Sequence, residues 1–227
     1  MRIRHIKGAE ETIAAHPLVI TAPEQYKGNW SREVFGNDHP LYLEIGTGMG
    51  TFIRESAVAH PEINYVGLEL NSTVLLKAIN RYEKKVREEE GLPADTEAPI
   101  LRNLRFIRCD ARLIEDYFAV GEAAKIYLNF SDPWPKDKNA NKRLTSPHFL
   151  SHYEAILRPG ASVEFKTDNR GLFDYSVETA REEGWTFDVL TYDLHSDAVL
   201  MQGNIMTEYE AKFSAKGNLI NKYVIHK

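Results

Sequence analysis

Between residues 41 and 59 the chain passes from a short apolar run through a glycine turn into a helical pattern. The run is Leu41-Tyr42-Leu43-Glu44-Ile45, the turn is Gly46-Thr47-Gly48-Met49-Gly50, and Thr51 to Ala59 reads as a helix. Strand, tight turn and helix in that order open a parallel α/β unit. Glycines in such a turn let the backbone enter the helix sharply and approach a ligand closely. The spacing is G-x-G-x-G, whereas a dinucleotide-binding turn would place its third glycine at position 51, occupied here by Thr51.

The rest of the chain repeats the alternation. Further strands are expected at Asn64–Glu69, Leu104–Cys109, Lys125–Phe130 and Ala161–Lys166, and helices at Ser72 to about Glu90, Phe149–Leu157 and Gly171–Glu183. Pro159-Gly160 reads as the stop after the second of these helices. Phe187–Tyr192 and Leu219–Ile225 close the chain as two strands with no clear helix between them, which points to an antiparallel pair at the sheet edge. The expectation is an α/β fold of Rossmann-like type, a seven-stranded mostly parallel sheet with an antiparallel edge strand. The 227 residues suit one core. Residues 1–36 read as a basic arm (Arg2, Arg4, Lys7) followed by a short helix, residues 37–227 as the main domain, and 91–99 as a surface loop within an insertion near 86–102.

Several classes of function are disfavoured. No apolar run reaches the roughly 18 residues of a membrane span, and the N-terminus has no apolar signal core, so a cytoplasmic location without membrane association is expected. Cys109 is the single cysteine and reads as a small buried hydrophobe, which leaves no disulfide or cysteine-cluster metal site. No metal site is expected among the histidines, and His195 reads as structural or solvated. The net charge is −5, yet base collects at Arg2, Arg4 and Lys7 and again at Lys136, Lys138, Lys142 and Arg143, and such local patches can engage RNA.

Three acids stand at strand ends, where open α/β sheets bind ligands: Glu44 at the glycine turn, Glu69 after the second strand and Asp110 after the third. A carboxylate at the turn repels pyrophosphate but suits the ammonium of a methionine moiety. Glu69 is placed to accept from ribose hydroxyls and Asp110 from an adenine amino group. With Gly46, Gly48 and Gly50 the set favours S-adenosyl-L-methionine over a nicotinamide dinucleotide. After the fourth strand comes Asn129-Phe130-Ser131-Asp132-Pro133-Trp134-Pro135-Lys136, a stiff loop with a carboxylate and a flat aromatic. Together these can hold a nucleobase beside the donor; Trp134 as a core residue is the other reading. A small-molecule methyltransferase and a non-catalytic RNA-binding protein remain alternatives at this point.

The string from Tyr127 to Lys136, Arg143-Leu144-Thr145, Phe165-Lys166-Thr167-Asp168-Asn169 and Thr207-Glu208-Tyr209-Glu210 together resemble the bacterial tRNA (guanine-N7)-methyltransferases. Order and spacing match over most of the chain. The resemblance implies a class I S-adenosylmethionine-dependent methyltransferase that forms N7-methylguanosine at tRNA position 46, in the variable loop. It implies donor binding by Glu44, Glu69, Asp110 and Asp132, with Asp132 catalytic. It implies substrate contacts by Lys136, Asp168, Thr207, Glu208, Tyr209 and Glu210. Lys138, Lys142 and Arg143 are expected at RNA phosphates, although Asp137, Asn139 and Asn141 make this loop less basic than is usual in the family. Thr207–Glu210 is expected in a loop before the last strand. The partner expected is tRNA; the near-complete motif set points to no obligate protein partner, and a homodimer is left open.

Overall fold

The computed structural model describes residues 5–227. Arg2 and Arg4 of the expected basic arm lie outside the described residues; Lys7 is exposed. The elements in order are α1 (Ala9–Ala14), β1 (Leu41–Ile45), α2 (Thr51–Ala59), β2 (Asn64–Glu69), α3 (Ser72–Glu90), β3 (Leu104–Arg108) and α4 (Ile114–Tyr117). They continue with β4 (Ala123–Asn129), α5 (Pro147–Ile156), β5 (Leu157–Thr167), α6 (Arg170–Glu182), β6 (Thr186–Thr191), α7 (Glu208–Ser214) and β7 (Asn221–His226).

The seven strands form one sheet in the order β3-β2-β1-β4-β5-β7-β6. The first five pair in parallel, and β7 runs antiparallel to both β5 and β6. The antiparallel pair therefore sits at the edge as expected, with β7 inserted between β5 and β6. The connection between those last two strands is no tight hairpin: it carries a 3₁₀ turn at Leu194–Ser196 and helix α7.

Alternation along each strand builds two cores. One face sends Leu43, Ile45, Val66, Leu68, Ile126, Leu128, Val163 and Phe165 into a core shared with α5 and α6. The opposite face packs Tyr65 and Phe106 against α1, α2 and α3. Trp30 belongs to the first core: it is fully buried, stacks on Phe118 at 5.2 Å, and its indole N–H donates to the Tyr117 carbonyl at 2.8 Å. The 18–20 segment runs along the outer side of β3, with Phe106 N–H donating to the Leu18 carbonyl (2.8 Å) and Ile20 N–H to the Phe106 carbonyl (2.9 Å). This caps a strand edge that would otherwise present open donors and acceptors.

Local signals account for the element ends. Asn71 caps α3, its side-chain oxygen accepting from the Thr73 and Val74 amides, and Gly91 stops the helix in the left-handed region. β5 starts earlier than the sequence indicated. α5 ends at Ile156, ahead of Pro159-Gly160, which lie within β5: Leu157 already pairs with Ala123, and the chain then bulges before Ser162 pairs with Lys125. The switch in strand order falls between β1 and β4, and the acids at issue all lie at the carboxyl ends of β1 to β5 beside it.

Candidate active site

The glycine turn sits where the sequence placed it. Gly46, Gly48 and Gly50 all have positive φ (76°, 56° and 71°), and the Gly46 and Thr47 amides donate to the Leu68 carbonyl, locking β1 to β2. Gly50 enters α2 with no room to spare: a Cβ there would lie 3.2 Å from the Ala78 side chain.

Glu44 ends this strand 2 % exposed. Its two carboxylate oxygens accept one bond each, from the Thr47 hydroxyl (2.7 Å) and the Asn129 amide (2.8 Å). Burial raises its pKa to about 7, opposed by those two hydrogen bonds and the Lys166 charge and reinforced by Glu69. Glu69 is pinned by the Gly48 amide (3.1 Å) and the Asn71 amide (2.9 Å). Burial also pushes its pKa up, and the Asp132 charge adds to this. Two carboxylates at the ends of paired strands, Glu44 and Glu69, favour a positively charged ligand. The Asn129 Oδ1 and the Ser131 Oγ, on either side of Phe130, are buried with no hydrogen-bond partner. A ligand with an ammonium group fits this set of acceptors.

Asp110 is at the end of β3, but its carboxylate is engaged by Arg112, through the backbone amide (3.0 Å) and the guanidinium Nε (2.9 Å to one oxygen), and Arg112 lowers its pKa. Asp110 therefore reaches an adenine amino group only with the acceptor capacity that Arg112 leaves, or after the mostly exposed Arg112 side chain swings away.

Asp132 is exposed on the loop after β4. Phe130 and Trp134, two residues to either side, are the two non-glycine residues of positive φ among those described, at 50° and 41°. Each such conformation costs on the order of 1–3 kcal/mol and persists where surrounding contacts over-determine it. Those contacts are visible. Phe130 N–H donates to the Lys166 carbonyl at 2.9 Å. Arg143 donates to the carbonyls of Pro133 and Trp134, both at 3.1 Å, and its guanidinium lies 4.2 Å from the Tyr175 ring centre. This corrects the expectation that Arg143 meets phosphate: it is buried, and its donors hold the loop. Trp134 is half-buried, with Lys142 over its ring at 4.8 Å, so it is no core residue. Lys136, Lys138 and Lys142 are exposed along the same loop.

Thr207–Glu210 is not a loop. The Thr207 hydroxyl accepts from the Glu210 amide (2.9 Å) and caps α7. Its residues then diverge. Tyr209 is exposed and stacks on Phe130, with centroids 6.3 Å apart. Glu208 is ion-paired with Arg81 of α3, which also donates to Thr51 at the mouth of the glycine turn. Glu210 points inward and is fully buried against Lys166 of β5 (2.7 Å), with His195 (3.0 Å) and Asn204 (2.7 Å) on its other oxygen. It is thus withheld from any substrate, and His195 is structural. Asp168 is half-buried and accepts from Asn218 at 2.9 Å. Sequence reading passed over Lys166 and Asn129; a lysine at a position that alternates with core residues of a central strand was the available signal for the first.

Among the described residues, no group of three or more histidine, cysteine, aspartate or glutamate side chains forms a metal site. No described helix is long and apolar enough to cross a membrane.

The chain as a whole is similar to known proteins. A tRNA (guanine-N(7)-)-methyltransferase of Lachnoclostridium phytofermentans is 48 % identical over 99 % of this chain and 97 % of its own length. The chain belongs to that methyltransferase family. The family profile Methyltransf_4 matches residues 38–223. The Bacillus subtilis tRNA (guanine-N(7)-)-methyltransferase is 43 % identical over 97 % of this chain and 96 % of its own. Among solved structures, an antibiotic-related methyltransferase superposes with a TM-score of 0.56 at 17 % identity, covering 85 % of this chain and 89 % of the other. The 16S rRNA methyltransferase KamB gives 0.55 at 15 %, covering 86 % and 89 %. At such identities the structures bear on the fold, which is that of class I methyltransferases.

Proposed function

We propose that this methyltransferase moves a methyl group from S-adenosyl-L-methionine to N7 of a guanosine in tRNA, at position 46 of the variable loop. The observation that carries the reading is Asp132, exposed on a loop braced by Arg143 at the carboxyl end of β4, next to the strand that carries the glycine turn. The near full-length identity to tRNA (guanine-N(7)-)-methyltransferases supports the choice of base and atom.

Bound S-adenosylmethionine would supply an electrophilic methyl group. Glu44 and the glycine turn would hold its methionine end and Glu69 its ribose. Guanine N7 already carries an in-plane lone pair, so no side chain has to remove a proton before attack. The work left to the chain is to orient the base and to stabilise the positive charge that develops on the purine. Asp132 does both by standing beside the base as a carboxylate. Tyr209 offers a flat face for the base or its neighbour, and Asp168 a second carboxylate. Lys136, Lys138 and Lys142 would meet phosphates.

The test is transfer of labelled methyl from S-adenosylmethionine to unmodified tRNA transcripts, with the product nucleoside and its position identified. N7-methylguanosine at position 46 is expected. Asp132→Ala should keep donor affinity within a fewfold and remove most turnover, by about 10²-fold or more. Full turnover in that variant would remove Asp132 from the mechanism.

A further inference from the structure

Asn129 is the last residue of β4 and lies one residue outside the braced loop. Its amide N–H donates to Glu44 at 2.8 Å, while its Oδ1 is buried without a partner. Buried polar atoms in native proteins almost always find one, and a bound ligand is one group that can complete an unmatched acceptor. The charges around it specify the ligand atom. Glu44 and Glu69 are both acidic, and the nearby cation, Lys166, is already committed to Glu210, Asn204 and the Ile205 carbonyl.

We infer that Asn129 positions the methyl donor: its Oδ1 accepts a hydrogen bond from the α-ammonium of the methionine end, while its N–H aims Glu44 at the same ammonium. This rests on the S-adenosylmethionine reading above. The amide orientation carries information. Turned over, Asn129 would set its oxygen against a carboxylate oxygen of Glu44, a pairing of two acceptors that needs a proton on Glu44. A cation bound between them fixes Glu44 ionised and the amide in the orientation seen.

Calorimetric titration of two ligands separates this role from a structural one. S-adenosylmethionine carries the ammonium; 5′-methylthioadenosine has the nucleoside half and no amino-acid end. In Asn129→Ala, S-adenosylmethionine should bind about tenfold or more weakly, the loss of one charge-assisted hydrogen bond, and methylthioadenosine within twofold of the unsubstituted protein. Retained methylthioadenosine binding also reports that the variant is folded. Equal loss of both ligands, or loss of neither, overturns the assignment. If the unsubstituted protein binds neither ligand, the donor reading itself falls and takes this one with it.

Discussion

Glu44→Gln should make the donor-free protein more stable at neutral pH while weakening its hold on the donor. Glu44 is buried, accepts two hydrogen bonds from neutral groups and touches no cation, so ionising it is costly. Its pKa stands at about 7 against an ordinary value of 4.5. Between those values the folded protein binds more protons than the unfolded chain, so stability falls as pH rises through that window and levels off above about 7. At 1.36 kcal/mol per pH unit the full loss is roughly 3 kcal/mol. Glutamine keeps the shape without the charge: Asn129 can donate to its oxygen, and the Thr47 hydroxyl can turn to accept from its amide. Urea unfolding without donor at pH 5, 6, 7 and 8 measures the effect. The variant should lead the parent by under about 1 kcal/mol at pH 5 and by about 3 kcal/mol at pH 8; other titrating groups cancel in the difference. Parallel curves from pH 5 to 8 would refute the claim that burial of this carboxylate is held against its charge.

Other perturbations read different parts of the molecule. Lys166→Met strands the fully buried Glu210 without its cation, and urea unfolding should register a loss of about 3–5 kcal/mol. Gly67→Ala would bring a Cβ to 2.7 Å from the Phe106 ring beneath the glycine turn; the overpacking should cost about 1–3 kcal/mol and lower Tm, and an unchanged Tm would mean that the ring can retreat. Replacing Lys138 and Lys142 together by glutamate should weaken tRNA binding and flatten the slope of log K against log salt by about 1–2, measured by fluorescence anisotropy across a salt series. An unchanged slope would place the RNA elsewhere.

Much of the cofactor half was legible because its signals are local. The bounds of β1, α2, β2 and α3 follow from short apolar runs and a period-3.6 pattern bracketed by Gly50, Asn71 and Gly91. The positions of Glu44 and Glu69 at strand ends were legible because the runs that carry them are local. The substrate half depends on contacts distant in sequence. Nothing local distinguishes Arg143, which turns inward to the loop carbonyls, from Lys142, which stays out. Neither the insertion of β7 between β5 and β6 nor the burial of Lys166 can be read until both strands are paired. The helical state of 208–214 did have a local sign: Thr207 and Glu210 have the spacing of a capping box, and the Thr207 half of that box is formed. The short, charged helix beyond it gave too little periodicity to be recognised.

The bracing of the Asp132 loop decides which molecule must deform when enzyme and substrate meet. Its two strained residues are already held by Arg143 and β5 in the free protein, so this part of the site has little left to rearrange. With the guanosine placed at Asp132 as proposed above, the rearrangement would fall to the nucleic acid, which would have to release the base from its own stacking and tertiary contacts. A rigid enzyme of this kind sorts RNAs by how readily they open as well as by sequence. Among tRNAs of equal charge and loop sequence, those with the loosest fold around the target base would be modified first.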